Sequence, residues 1–238
     1  MSAALGGRTA VVTGASRGIG LAVARALVEA GARVAMLART EQSLRARAAE
    51  LNERALAVPC DVRDQRMVAE TAARIEQTFG GAPDVLVNNA GFFALAPLAS
   101  TEPHQFVTTV EVNLIAPFLL ARHFLPAMIA RGSGHVVTIG SVADRAVFPD
   151  NGAYAASKHG ARAMHEVMRA ELRGTGVRAA LISPGPTDTE LWDAIDVDRP
   201  GFTPRARMLR PQAVADAVLW TISRPADVNI DELRLSAS

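Results

Sequence analysis

The chain has 238 residues, 49% of them hydrophobic, and a formal net charge of +1. That is enough apolar material for one large core, and the scattered basic residues form no patch suited to nucleic acid or a membrane surface. A single cysteine, Cys60, excludes a disulfide framework and fits a reducing compartment. The first eight residues are too short and too polar for a signal peptide. No apolar run approaches the ~18 residues of a membrane span; Leu114 to Ala121 is only eight residues and contains a proline. The expectation is a cytoplasmic protein with neither a nucleic-acid nor a membrane partner.

Short β-branched runs alternate with longer segments of helical period. Thr9–Thr13 reads as a buried strand, followed by a helix over Gly18–Ala30. Arg33–Leu37 is a second strand, followed by a charged helix from Glu41 to Glu53. Leu56–Pro59 and Val85–Val87 are further strands, with the helix Gln65–Phe79 between them. An apolar helical stretch covers Glu102 to Ala130, then strand Val136–Ile139, the helix Gly152–Arg173 and strand Val177–Ile182. Pro211–Ser223 is the last helix and Leu233–Leu235 the last strand. This alternation specifies a single-domain α/β fold over residues 1–238, a doubly wound parallel sheet of Rossmann-like, three-layer α/β/α type. The irregular stretch Pro184–Arg210 is long for a compact domain, which predicts a functional lid.

Directly after the first strand comes Thr13-Gly14-Ala15-Ser16-Arg17-Gly18-Ile19-Gly20, which opens the first helix. Glycines there permit a tight turn and close approach of the backbone to a pyrophosphate, and the helix N-terminus offers free N–H groups. At the end of the second strand, an acidic residue would hold the ribose hydroxyls of NAD. Here Ala38 occupies that place and Arg39-Thr40 follow. Two guanidinium groups, Arg17 and Arg39, with the Thr40 hydroxyl suit a 2′-phosphate, so NADP(H) is expected over NAD(H).

Tyr154 is the only tyrosine and Lys158 the only lysine in a chain whose other non-histidine basic residues are all arginine. Four residues is about one helical turn, so the two side chains share a face. A neighbouring ammonium and the helix N-terminus both predict a tyrosine pKa below its usual value. Asn113 precedes Pro117 by four residues, and proline cannot donate to the Asn113 carbonyl, which is expected to be free. Ser141 follows the apolar strand ending at Ile139, at the carboxyl end of the sheet where open α/β sheets bind ligands.

Taken together, these motifs resemble the short-chain dehydrogenase/reductase family in its compact form. The resemblance assigns Asn113, Ser141, Tyr154 and Lys158 to a catalytic tetrad, with Tyr154 as general acid/base for hydride transfer between nicotinamide and a carbonyl carbon. An oxidised nicotinamide would lower the tyrosine pKa further, Lys158 would also bind the nicotinamide ribose, and the Asn113 carbonyl would hold a water. It places the cofactor on Gly14, Ser16, Arg17, Gly18, Ile19 and Gly20, on Arg39 and Thr40, and on Asp61-Val62 at the adenine. Asn88, Ala90 and Gly91 of the N-N-A-G segment, Tyr154 and Lys158, and Pro184, Gly185, Thr187 and Thr189 complete the set.

The substrate is expected to be a small carbonyl or alcohol compound. Phe92, Phe93, Val142, Val147, Phe148, Trp192 and Phe202 are candidate pocket residues, and Arg145 is either a contact for a substrate carboxylate or a solvated surface arginine. The ending Asp227–Leu233 resembles NADP-dependent 3-hydroxy-acid dehydrogenases and general carbonyl reductases more than ketoacyl carrier-protein reductases, which are the alternative. A non-catalytic NADP(H) sensor is an alternative of another class. His104, His123, His135, His159 and His165 lack metal-ligand spacing and read as surface or packing residues, so no metal site is expected. Small and apolar residues on the Tyr154 helix face more than one way, and the resemblance implies a homodimer or homotetramer built on this helix and the long one before it.

Overall fold

The fold is that of a computed structural model, which describes residues 5–197 and 201–238. Seven strands form one sheet: β1 (Thr9–Thr13), β2 (Arg33–Ala38), β3 (Ala55–Pro59), β4 (Val85–Asn88), β5 (Gly134–Ile139), β6 (Val177–Pro184) and β7 (Glu232–Leu235). All neighbours pair in parallel, in the order β3-β2-β1-β4-β5-β6-β7. The chain walks outward from β1 to β3 and then returns, so the carboxyl ends of β1 and β4 flank the point where strand order reverses.

Helices cover both faces. On one lie α1 (Gly18–Glu29), α2 (Glu41–Leu51) and α7 (Pro211–Ile222), whose Val23, Leu27, Leu44, Val214 and Val218 are buried with Val12, Val34 and Ile182 of the strands. On the other lie α3 (Gln65–Phe79), α5 (Ala116–Arg131) and α6 (Gly152–Glu171), burying Val68, Ile75, Leu120, Phe124 and Met168 against Val11, Leu86 and Val136. Strands buried on both faces read as continuous apolar runs, which is why they were legible in the sequence.

The stretch expected as one helix over Glu102–Ala130 is interrupted. Helix α4 (Pro103–Val110) passes into a π-helical turn at Glu111–Ile115 before α5 resumes, with the Ala116 N–H bonded to the Glu111 carbonyl. Pro117 removes the donor that a regular turn would aim at Asn113, and the wider turn is the local solution. By length and composition, Pro103–Arg131 could cross a bilayer. That corrects the run-length expectation above, but Leu120, Phe124 and Met128 of this segment lie in the core beneath the sheet.

The stretch expected to be irregular carries local order. It holds 3₁₀ turns at Glu190–Trp192 and Arg205–Arg207, and Thr187 bridges Leu209. Arg205 pairs with both Asp188 and Asp193. The described residues leave out 198–200 of this predicted lid.

Candidate active site

The glycine turn is held by side chains from the next strand but two. Thr13 Oγ1 accepts the N–H groups of Asn89 and Ala90, both at 2.9 Å, and Asn89 Nδ2 donates to the Thr13 carbonyl at 2.8 Å. Gly14 has φ +65°, and a Cβ there would lie 2.9 Å from Ala90 Cα. At Gly20 a Cβ would lie 2.2 Å from the Gly14 carbonyl oxygen. Only glycine keeps this turn folded back on the start of α1, and no side chain caps that helix. The result is a cradle of backbone N–H groups that fits a pyrophosphate.

Arg17 and Arg39 flank the cradle, both exposed, and neither side chain makes a hydrogen bond or ion pair with a described residue. Thr40 starts α2 without using its hydroxyl as a cap. Asp61 is engaged by Arg63 through a two-point ion pair, which holds its carboxyl below the usual range; Arg39 adds to this from farther away. Val62 is buried. Asn88, at the end of β4, is buried with its Oδ1 unpartnered.

Beside the cradle opens a cavity of about 600 Å³. Ile19, Gly91, Ser141, Tyr154, Lys158, Pro184, Gly185, Thr187 and Thr189 line it, so residues from β4, β5, α6 and β6 converge there. Among the described residues, its charged lining side chains are Asp150 and Lys158. Phe93 packs edge-on against Tyr154 with ring centroids 4.7 Å apart, and against Trp192 at 5.2 Å; Trp192 in turn meets Phe202. Val142 and Phe148 also line the cavity, whereas Phe92 and Val147 do not.

Tyr154 stands in the first turn of α6, and Lys158 lies one turn on with its Nζ 5.7 Å from the tyrosine ring centroid. The ammonium donates to the Ile139 carbonyl at 2.9 Å. Here the expected direction of the tyrosine shift is overturned. The phenol lies deep among protein atoms although its ring opens onto the cavity, and this burial pushes its pKa up to about 12; the Ser141 hydroxyl, within hydrogen-bonding reach, pulls the other way. Burial likewise lowers Lys158 to about 8. Desolvation outweighs the neighbouring ammonium and the helix dipole.

Ser141 begins a 3₁₀ turn over Val142–Asp144. Its Oγ accepts the Ala143 N–H at 3.1 Å, so its hydroxyl proton can turn to the Tyr154 phenol or to a group in the cavity. Asn113 sits inside the π turn and does not line the cavity. Its Oδ1 accepts the Phe92 N–H at 2.8 Å, and its Nδ2 donates to the Phe92 carbonyl at 3.0 Å and to Ser157 Oγ at 2.9 Å. Ser157 Oγ donates to the Tyr154 carbonyl at 2.7 Å. The Asn113 side chain thus joins the segment after β4 to the helix that carries the tyrosine.

Arg145 is partly exposed, ion-paired and absent from the cavity lining. Its guanidinium pairs with Asp144 and with Glu232 on β7. Sequence reasoning also passed over Thr13, Asp144, Asn151 and Ser157. Asn151 lines the cavity, is buried, and keeps an unpartnered Oδ1; its lead-in residue Asp150 has φ +62°. A polar residue immediately before the tyrosine helix was the only available signal for it. His135, on β5, and His165, on α6, are both buried packing residues, with His165 bonded to Thr138.

Comparison with known proteins adds to this geometry. Residues 8–200 match the family model described as short chain dehydrogenase. An uncharacterised oxidoreductase of Staphylococcus aureus strain USA300 is 33% identical over 228 residues, covering 95% of each chain. Glycine betaine reductase of Emericella nidulans is 36% identical over 236 residues, which is 96% of this chain and 18% of that longer protein. The crystal structure of a metagenomic short-chain oxidoreductase in complex with NADP superposes with TM-score 0.85 at 35% identity, covering 99% of this chain and all of that one. With a cradle at the β1–β4 switch point, a Ser141–Tyr154–Lys158 cluster in the adjoining cavity, and both the staphylococcal oxidoreductase and the metagenomic structure matched over nearly their full length, the chain belongs to the short-chain dehydrogenase/reductase family.

Proposed function

We propose that this oxidoreductase uses NADP(H) to interconvert a carbonyl and a secondary alcohol in the cavity beside Tyr154. The observation that carries the reading is the convergence of Ser141, Tyr154 and Lys158 on one cavity next to the glycine cradle. A bound nicotinamide nucleotide would supply or accept the hydride. The chain's own residues do the rest. Backbone N–H groups of the Gly14–Gly20 turn hold the pyrophosphate, and the unpaired Arg17 and Arg39 with Thr40 hold a 2′-phosphate. The NADP complex of the metagenomic relative supports that preference.

Ser141 donates its hydroxyl proton to the substrate oxygen, and Tyr154 exchanges a proton with the same oxygen. Lys158 supplies positive charge one turn away. Trp192 and Phe202, from the segment proposed as a lid, present apolar surface with Phe93. That wall favours an uncharged substrate of medium size over a carboxylate, and so a general carbonyl reductase over a hydroxy-acid dehydrogenase.

The test is turnover by purified protein against a panel of ketones, aldehydes, hydroxy acids and a ketoacyl thioester, with NADPH and NADH compared at equal concentration. Turnover of an uncharged ketone, with kcat/KM for NADPH at least about tenfold above that for NADH, is expected, since a charged hydrogen bond contributes about 1.5–3 kcal/mol. Equal use of both nucleotides would remove the 2′-phosphate assignment. Tight NADPH binding with no turnover of any compound would point to a sensor.

We also propose a cytoplasmic homodimer or homotetramer assembled through α4, α5 and α6. Phe118 on α5 and Val167 on α6 are about half exposed, as is Val107 on α4, which gives these helices apolar surface that a second copy could cover. Light scattering at micromolar concentration is expected to give two or four chain masses, and a monomer would overturn the assignment.

A further inference from the structure

The turn that carries Ser141 is fastened by a carboxylate that no motif singles out. Asp144 is buried and closes the 3₁₀ turn that follows β5. Its Oδ2 accepts the Ser141 backbone N–H at 3.3 Å and the Ser183 hydroxyl, from β6, at 2.5 Å. Its Oδ1 accepts Arg145 Nε at 2.7 Å, and the same guanidinium reaches Glu232 on β7. The fit leaves no spare room. A Cβ at Gly140 would lie 2.6 Å from both Asp144 Oδ2 and Ser183 Oγ, so the residue before Ser141 is glycine where the carboxylate passes.

We propose that Asp144 is a positioning residue for the reaction: its carboxylate fixes Ser141 against β6 and, relayed through Arg145 to Glu232, sets a partly neutralised negative charge beside Tyr154 and Lys158. The proposal rests on the reading of Tyr154 as the acid/base. The carboxylate bonds Ser141 and Arg145 in its own turn and Ser183 from β6; Arg145 carries the contact on to Glu232 of β7, and the Asp144 charge is felt by Tyr154 and Lys158 of α6. Of these, Arg145 offsets its charge, while Glu232 holds Arg145 in place. The Asp144 charge raises the pKa of both Tyr154 and Lys158. It therefore favours the proton on the phenol and keeps the ammonium charged to higher pH. Arg145 acts as the trim on that effect, since removing it leaves the carboxylate uncompensated.

Because Tyr154 is the only tyrosine, the ultraviolet tyrosinate band reads this residue alone. The experiment titrates that band in the wild type, Asp144→Asn and Arg145→Gln, each with and without saturating NADP⁺. It needs no substrate, so it can fail separately from the proposed activity. Asp144→Asn is expected to shift the midpoint to lower pH. Arg145→Gln, in the NADP⁺-saturated protein, is expected to shift it to higher pH, because the positive charge that offsets the carboxylate is gone. A merely structural role would not move the two variants in opposite directions. An unmoved midpoint in Asp144→Asn, or parallel movement of both, would overturn the proposal. Should Asp144→Asn fail to fold, the absence of an upward shift in Arg145→Gln has the same force.

Discussion

Replacing Tyr154 with phenylalanine is expected to lower kcat by about 10²- to 10⁴-fold, the usual worth of a positioned acid/base, while NADPH affinity and Tm stay near wild type. The substitution removes one oxygen and little else. Phenylalanine keeps the edge-on packing against Phe93 and the place of the ring beside the Lys158 ammonium. The first turn of α6 loses no backbone bond, because Ser157 Oγ is bonded to the Tyr154 carbonyl rather than to the phenol. The proton that must reach the substrate oxygen is gone, and Ser141, a neutral hydroxyl, replaces it poorly. Steady-state kinetics with the best ketone of the panel, beside NADPH titration and a thermal melt, separates the effects. A fall in nucleotide affinity equal to the fall in kcat would mean that Tyr154 binds rather than catalyses.

The direction of pH dependence follows from the burial of the phenol. With its pKa pushed up to about 12, Tyr154 holds its proton throughout the neutral range, the form needed to protonate a carbonyl oxygen. Alcohol oxidation needs the opposite form and gains with rising pH. This reverses what the sequence suggested, and the reason is physical. A lysine four residues away is visible in the sequence, but the depth at which both groups lie is not, and depth dominates here.

The same division runs through the rest of the molecule. Strands such as Thr9–Thr13 and helices such as Gln65–Phe79 were legible because their periodicity is local. The glycine cradle was legible because strand, glycines and helix are contiguous. The π turn had one visible cause, Pro117, which signalled a freed carbonyl but not that the Asn113 side chain would bind both polar groups of Phe92. The Asp144 clamp was not legible. It joins residues 144, 183 and 232, which only the β5–β6–β7 pairing brings together. Arg145 was misread for a related reason. In a chain this rich in arginine, nothing local distinguishes one that is solvated from one locked between two carboxylates.

Replacing Lys158 with methionine is expected to abolish most activity and yet stabilise the fold at neutral pH. Burial lowers the ammonium from 10.5 to about 8, whereas the unfolded chain keeps its proton up to about 10.5. Between those values the unfolded state binds more protons, so the lysine's effect on stability becomes more favourable as pH rises through that window. Below pH 8 both states are charged and the full penalty stands, about 3 kcal/mol for a shift of this size. Methionine removes the penalty but also the charged bond to the Ile139 carbonyl, worth about 1.5–3 kcal/mol. The net gain is then small, up to about 1.5 kcal/mol at pH 7, or a Tm rise of up to roughly 6 °C for a domain of this length. It should shrink as the pH approaches 10.5, where the wild-type lysine is neutral in the native state and the unfolded chain no longer gains from holding the proton. Calorimetry of both proteins at pH 7 and pH 10 checks the sign and the trend. A variant that is less stable at pH 7 would show that the lysine is held favourably, by Asp144 and Ile139 together. The expected outcome instead makes Lys158 a group kept at a cost to stability because the neighbouring tyrosine requires its charge.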